Sequence, residues 1–170
     1  SRGFNEYINF CQGALHNSSY KSKMFKVLSK AQKHNVFALF HLPGAHAPYA
    51  SKINNYTDNN LKNVYLETLK NNDSLIKQII SYLKEMEILD DSLIFISSDH
   101  GRGIEYGGKN SYQFYEERLR VPLYIKSFNS NLKQNKNAYI SSHTYMYKTI
   151  LENLNIENKH IDETSKFQGI

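Results

Sequence analysis

The sequence holds a single cysteine, Cys11, in 170 residues. One thiol builds neither an internal disulfide framework nor a Cys-rich metal site. That scarcity fits a reducing compartment, and equally an exported protein that does without disulfides. Long apolar runs are also missing: no stretch approaches the roughly 18 consecutive apolar residues of a membrane-spanning helix, so no span is expected. No signal peptide is expected in it, and Ser1-Arg2-Gly3-Phe4, without an initiator Met, reads as the start of an excised piece. A compact basic block is lacking too. The net charge is +5 and the pI near 9.1, but the lysines are scattered and interleaved with asparagine. Nucleic acid is therefore not an expected partner. A solvated Lys-rich surface with a weak attraction to anionic lipid or phosphate-bearing partners is the simpler reading. No internal repeat appears, and no low-complexity tract beyond the Asn/Lys bias.

What is present suits one globular domain. The apolar share is 40% and the charged share 22%, above the disordered range, and the length allows a real core. Helical spacing runs from Tyr20 to His34, with Met24, Val27, Leu28 and Ala31 on one face, and reads as a covering helix. A longer helix is expected from about Asn60 to Glu87, where Leu61, Val64, Tyr65, Leu69, Ile76, Ile79, Ile80, Leu83 and Met86 recur. Asn72 and Asp73 fall beside this stripe and need partners if buried. Three short apolar runs read as strands: Asn35–Phe40, Leu93–Ile96 and Val121–Ile125, the last with Pro122 at its start or on an edge. The strand–long helix–strand order predicts a βαβ crossover and a parallel sheet. Ser141 or Ser142 is the expected N-cap of a final helix carrying Tyr145, Met146, Thr149, Ile150, Leu151 and Leu154.

The organising stretch is Leu93-Ile94-Phe95-Ile96-Ser97-Ser98-Asp99-His100-Gly101. A buried strand here delivers an acid and an imidazole to the strand's carboxyl end, where open α/β sheets bind ligands. A carboxylate oxygen beside a neutral imidazole nitrogen makes a good zinc pair, and Gly101 lets the backbone turn away behind them. An Asp that caps a turn beside a surface His explains the same letters equally well. The run Asn35–Phe40 likewise leads into His41-Leu42-Pro43-Gly44-Ala45-His46-Ala47-Pro48. The two prolines stiffen that loop, and Gly44 permits close backbone approach to a ligand. By itself His41 reads slightly better as a core histidine, and His46 as a functional one. The Arg102–Tyr115 segment, rich in Gly, Tyr and Asn, is long for a connection and is expected to be functional.

Taken in order, His41–Pro48, Tyr65 with Asp73, Ser98-Asp99-His100-Gly101, and Glu117-Arg118-Leu119-Arg120-Val121-Pro122 resemble the C-terminal half of a sulfatase-like domain of the alkaline phosphatase superfamily. The Ser142-His143 helix start adds to this. Within the superfamily the chain is most similar to bacterial phosphoethanolamine transferases, through the Gly44-Ala45-His46 loop and the Ser-Asp-His-Gly motif. The resemblance covers roughly residues 35–155. It implies an α/β fold with a mostly parallel sheet and helices on both faces, residues 1–170 forming the C-terminal portion of one catalytic domain. It implies Asp99 and His100 as ligands of zinc or another divalent ion, His46 as the catalytic contact to the transferred phosphoryl group, and His41, Gly44, His46 and Tyr112 as substrate contacts. Tyr65 and Asp73 become structural helix positions.

The implied reaction transfers phosphoethanolamine, or a related phosphoryl group, from a phospholipid donor to lipid A or another cell-surface glycan. The implied location is the periplasmic face of the inner membrane, with the parent anchored by N-terminal helices absent here and this piece soluble. In the family the nucleophilic Thr and the first acidic ligand lie far upstream of the loop, whereas 45 residues precede His46. The piece is therefore expected to bind metal weakly and to be inactive alone. Arg102 stands where the transferases usually place a Glu, and Tyr112 near the place of a His. These departures keep two rivals open: a sulfatase or phosphodiesterase that hydrolyses its ester, and a degenerate domain that binds without catalysis.

Overall fold

A computed structural model describes residues 5, 18–42, 45, 60–104, 116–129 and 142–157. The chain divides into two units. One comprises Ser1–Leu89 with Ser98–Pro122, and the other Asp90–Ser97 with Leu123–Ile170.

The first unit is built on two helices. Helix α1, Ser18–Ser29, continues into a short 3-10 turn at Lys30–Gln32. Met24 and Leu28, one turn apart, are its buried positions, while Lys23 and Lys26 face solvent. Helix α2 runs Leu61–Glu85 and buries Leu61, Val64, Thr68, Leu75 and Leu83. Those intervals of three, four, seven and eight residues keep one face toward the core. Met24 and Leu75 pack together with Phe40, Leu42 and Ile79 around them. Leu61 and Val64 form a second cluster with Tyr65 and Ile104. Phe25 and Tyr82 meet with ring centroids 4.7 Å apart. Fully buried Thr68 donates its hydroxyl to the carbonyl of Tyr65 at 2.7 Å, so its polar atom is satisfied within the helix.

Helix α2 ends in a double hydrogen-bond motif. The N–H of Glu87 donates to the Lys84 carbonyl and that of Ile88 to the Leu83 carbonyl, with Glu87 at φ 58°. This is the Schellman arrangement, whose left-handed position usually holds glycine.

The run 35–40 departs from the expected buried strand. It joins no ladder among the described residues. Phe40 and Leu42 pack inward on Met24 and Leu75, whereas Phe37 and Leu39 are 69% and 73% exposed. An apolar run declares that both faces suit burial, but not whether a second layer covers the outer one.

The second unit pairs β1, Ile94–Ile96, with β2, Tyr124–Lys126. The pairing is antiparallel, with Ile94 opposite Lys126, Phe95 opposite Ile125 and Ile96 opposite Tyr124. The parallel expectation concerned a crossover from 35–40 through α2 to β1, and 35–40 is in no described ladder. Mixed sheets commonly carry antiparallel edge strands. β1 is half-buried rather than fully buried, and β2 begins later than expected, beyond Pro122. The buried Lys126 ammonium donates to the carbonyls of Asp90, Ser92 and Ser127 at 3.3, 3.0 and 3.0 Å. Its three protons thus find three acceptors, as burial of a charge requires. Asn129 N–H also donates to the Asp90 carbonyl at 2.8 Å.

Helix α4, His143–Asn153, starts after Ser142, which has extended backbone and makes no side-chain capping bond. It closes by the same Schellman device as α2, with Asn155 at φ 51° and N–H donations from Asn155 to Glu152 and from Ile156 to Leu151. No helix among the described residues is long and apolar enough to cross a membrane.

Candidate active site

Ser98, Asp99, His100 and Gly101 form a bend that begins two residues after Ile96, the last residue of β1, at the start of the first unit's second segment. The His100 N–H donates to Asp99 Oδ1 at 2.9 Å, so the aspartate folds back over its own backbone. Ser98 Oγ donates to the His100 carbonyl at 2.7 Å and lies 3.4 Å from Asp99 Oδ1. The His100 ring places Nδ1 at 2.8 Å from the Gly101 carbonyl oxygen. A carbonyl only accepts, so Nδ1 carries the proton in that bond, and in the neutral ring Nε2 presents a lone pair. Nε2 lies 3.8 Å from Asp99 Oδ2. Both side chains are solvent-accessible.

Asp99's carboxyl sits below the usual carboxylate range. Partial desolvation raises it, but the His100 N–H, the facing imidazole and the Ser98 hydroxyl together outweigh that.

Gly101 closes the turn against the Glu117–Arg118 backbone. Its N–H donates to the Arg118 carbonyl at 2.8 Å. A Cβ at this position would overlap the Glu117 carbonyl oxygen, so only glycine allows the approach. Arg118 lies in α3, the single turn Glu116–Leu119. Two stretches that stand apart in the sequence, Ser98–Gly101 and Glu117–Pro122, are thereby joined through main-chain atoms.

The donor set fits a divalent cation. Zinc takes imidazole nitrogen and carboxylate oxygen at about 2.0–2.2 Å, and two such bonds together span more than the 3.8 Å between Nε2 and Oδ2. One ion can therefore touch both atoms. The Nδ1–H donation to a backbone carbonyl is the usual way a ligating histidine is oriented. Among the described residues no group of three or more His, Cys, Asp or Glu could hold a metal ion.

A family model described as Sulfatase matches residues 7–156. The chain belongs to the sulfatase family. Membership places this sulfatase-family chain in an enzyme superfamily whose chemistry is on phosphate and sulfate esters. The α/β character fits, with helices and a small two-stranded sheet among the described residues. No curated protein and no solved structure matches it.

Of the residues singled out in this sulfatase-family sequence, Asp99 and His100 are adjacent in space as well as in sequence. His41 is exposed, not the core histidine that its apolar neighbours suggest. Gly44, His46 and Tyr112 lie outside the described residues. Asp73 is exposed on α2, and Asn72 has a buried Oδ1 with no hydrogen-bond partner. His143 belongs to the second unit. Sequence reasoning missed the parts played by Ser98 and by the Arg118 carbonyl. Serine is common in turns, and a main-chain acceptor has no residue-type signature. The one available signal was Gly101 itself, a position where a close backbone approach was foreseeable.

Proposed function

We propose that the parent protein transfers phosphoethanolamine, or a related phosphoryl group, from a phospholipid to lipid A or another cell-surface glycan, using zinc or another divalent ion. The observation that carries this reading is the Asp99–His100 pair, with Oδ2 and Nε2 separated by 3.8 Å and Nδ1 occupied by the Gly101 carbonyl. A divalent ion held there supplies Lewis acidity toward a phosphoryl oxygen. Asp99 contributes a carboxylate that is already ionised at neutral pH, and His100 the Nε2 nitrogen of a ring oriented through Nδ1. His46 contacts the phosphoryl group or donates a proton to the leaving alkoxide. His41, Gly44 and Tyr112 line the substrate, with exposed His41 accessible for that role. The nucleophile and the remaining ligands come from upstream sequence, and residues 1–170 act as the C-terminal portion of one domain. The site works on the periplasmic side of the inner membrane.

The choice of transfer over hydrolysis rests on the Gly44-Ala45-His46 loop and the Ser-Asp-His-Gly motif. Sulfatase-family membership alone supports hydrolysis of a sulfate or phosphate ester equally well. The full-length parent, supplied with a fluorescent phosphatidylethanolamine and with lipid A, distinguishes them. Product formation only with lipid A present supports transfer, while turnover of a simple aryl sulfate or phosphate ester without acceptor supports the hydrolase. Calorimetric zinc titration of this chain against Asp99→Ala tests the ligand assignment, and undiminished binding by the variant refutes it.

A further inference from the structure

The peptide group joining His100 to Gly101 is held at both ends. Its carbonyl accepts from Ser98 Oγ at 2.7 Å, and its N–H donates to the Arg118 carbonyl at 2.8 Å. A peptide is planar, so fixing both of its polar atoms fixes its rotation about the chain axis. That plane fixes the Cα atoms of His100 and Gly101, the points from which the His100 side chain and the Gly101 carbonyl depart. The Gly101 carbonyl is the acceptor for His100 Nδ1 at 2.8 Å. Glycine is required on the far side, because a side chain there would push the plane off the Glu117 carbonyl.

We infer that Ser98 and the Arg118 carbonyl act as a peptide clamp that presets His100 in its Nδ1–H tautomer, with Nε2 turned beside Asp99 to receive a divalent cation. The inference rests on the metal reading proposed above and assigns Ser98 as a positioning residue rather than a ligand. Through α3, the clamp makes the Glu117–Pro122 stretch a support for the candidate metal pair. Groups that orient a ligating histidine typically change metal affinity by about 10–100-fold when removed.

The experiment uses this chain, nitrogen-15 NMR of the His100 ring without metal, and calorimetric titration with zinc alone. Wild type is expected to show the Nδ1–H tautomer at pH values where the ring is neutral. Ser98→Ala is expected to show a mixture of tautomers and zinc binding weaker by about tenfold or more, and Ser98→Thr, which restores the hydroxyl, to recover both. Ser98→Ala that keeps the tautomer and binds zinc within twofold of wild type overturns the clamp while leaving the ligand assignment intact. Wild type that binds no zinc overturns the metal reading and this inference with it. Hydrogen exchange on wild type adds a measurement independent of any variant's folding. The Gly101 amide is expected to be protected relative to an exposed turn, and exchange at the free-peptide rate overturns the clamp.

Discussion

The Gly101 N–H donates to the Arg118 carbonyl at 2.8 Å, and the glycine's open side faces the Glu117 carbonyl. A methyl group has no room there unless the α3 backbone moves. Gly101→Ala is therefore expected to lower stability by about 1–3 kcal/mol, the usual range for overpacking. Urea unfolding measures it. A variant as stable as wild type means the two stretches are not in contact.

Lys126 is a second internal tie. Its ammonium serves the carbonyls of Asp90, Ser92 and Ser127. Lys126→Met keeps the aliphatic stem and removes the three ammonium donations, while the Asp90 carbonyl keeps the Asn129 N–H. The expected loss is about 1–3 kcal/mol, the range for disturbing a buried hydrogen-bonded group. Thermal unfolding of the two chains side by side decides it, and an unchanged midpoint shows that water replaces the ammonium.

The helical part of the fold was legible because a 3.6-residue period needs no tertiary knowledge. Met24 with Leu28, and Leu61, Val64 and Leu83, fall on the expected stripes, whereas Leu75, outside the expected stripe, is buried and the expected Leu69 is exposed. The sheet was less legible. Val36 to Phe40 and Ile94 to Ile96 are the same kind of apolar run, yet one stands outside any described ladder and the other pairs antiparallel with 124–126. Strand pairing depends on distant chain, and short apolar runs do not encode their partner. At the site, the side-chain chemistry of Asp99 and His100 could be read from residue types, while the support from Ser98 and Arg118 could not. It works through backbone oxygens that every residue possesses.

The helix ends offer a controlled comparison. Glu87 and Asn155 occupy the same left-handed position, at φ 58° and 51°. Asparagine tolerates that conformation, whereas a side chain such as glutamate is strained there at roughly 1–2 kcal/mol. Glu87→Gly is expected to stabilise the chain by about 1 kcal/mol despite glycine's greater chain entropy. Asn155→Gly is expected to change little. Chemical unfolding of both variants tests the pair, and equal effects would mean that the terminal strain does not depend on the side chain.

Asp99 carries the sharpest pH prediction. Its carboxyl is lowered from 3.8 because the His100 N–H, the His100 ring and the Ser98 hydroxyl outweigh partial desolvation. A depressed folded-state value means that ionised Asp99 favours the folded chain. That contribution is fully present above the unfolded-state value of about 3.9 and is lost as pH falls through the folded-state value. Because the side chain is largely exposed, the effect on stability is small, and the titration itself is the better readout. Carbon-13 NMR of the Asp99 carboxyl is expected to give a midpoint below 3.8. The carboxylate is then fully ionised at neutral pH, so zinc displaces no proton from it, and binding between about pH 6 and 8 carries no proton release from Asp99. A wild-type midpoint above 3.8 would mean that desolvation dominates, and that the turn does not stabilise the charge on which the candidate metal pair depends.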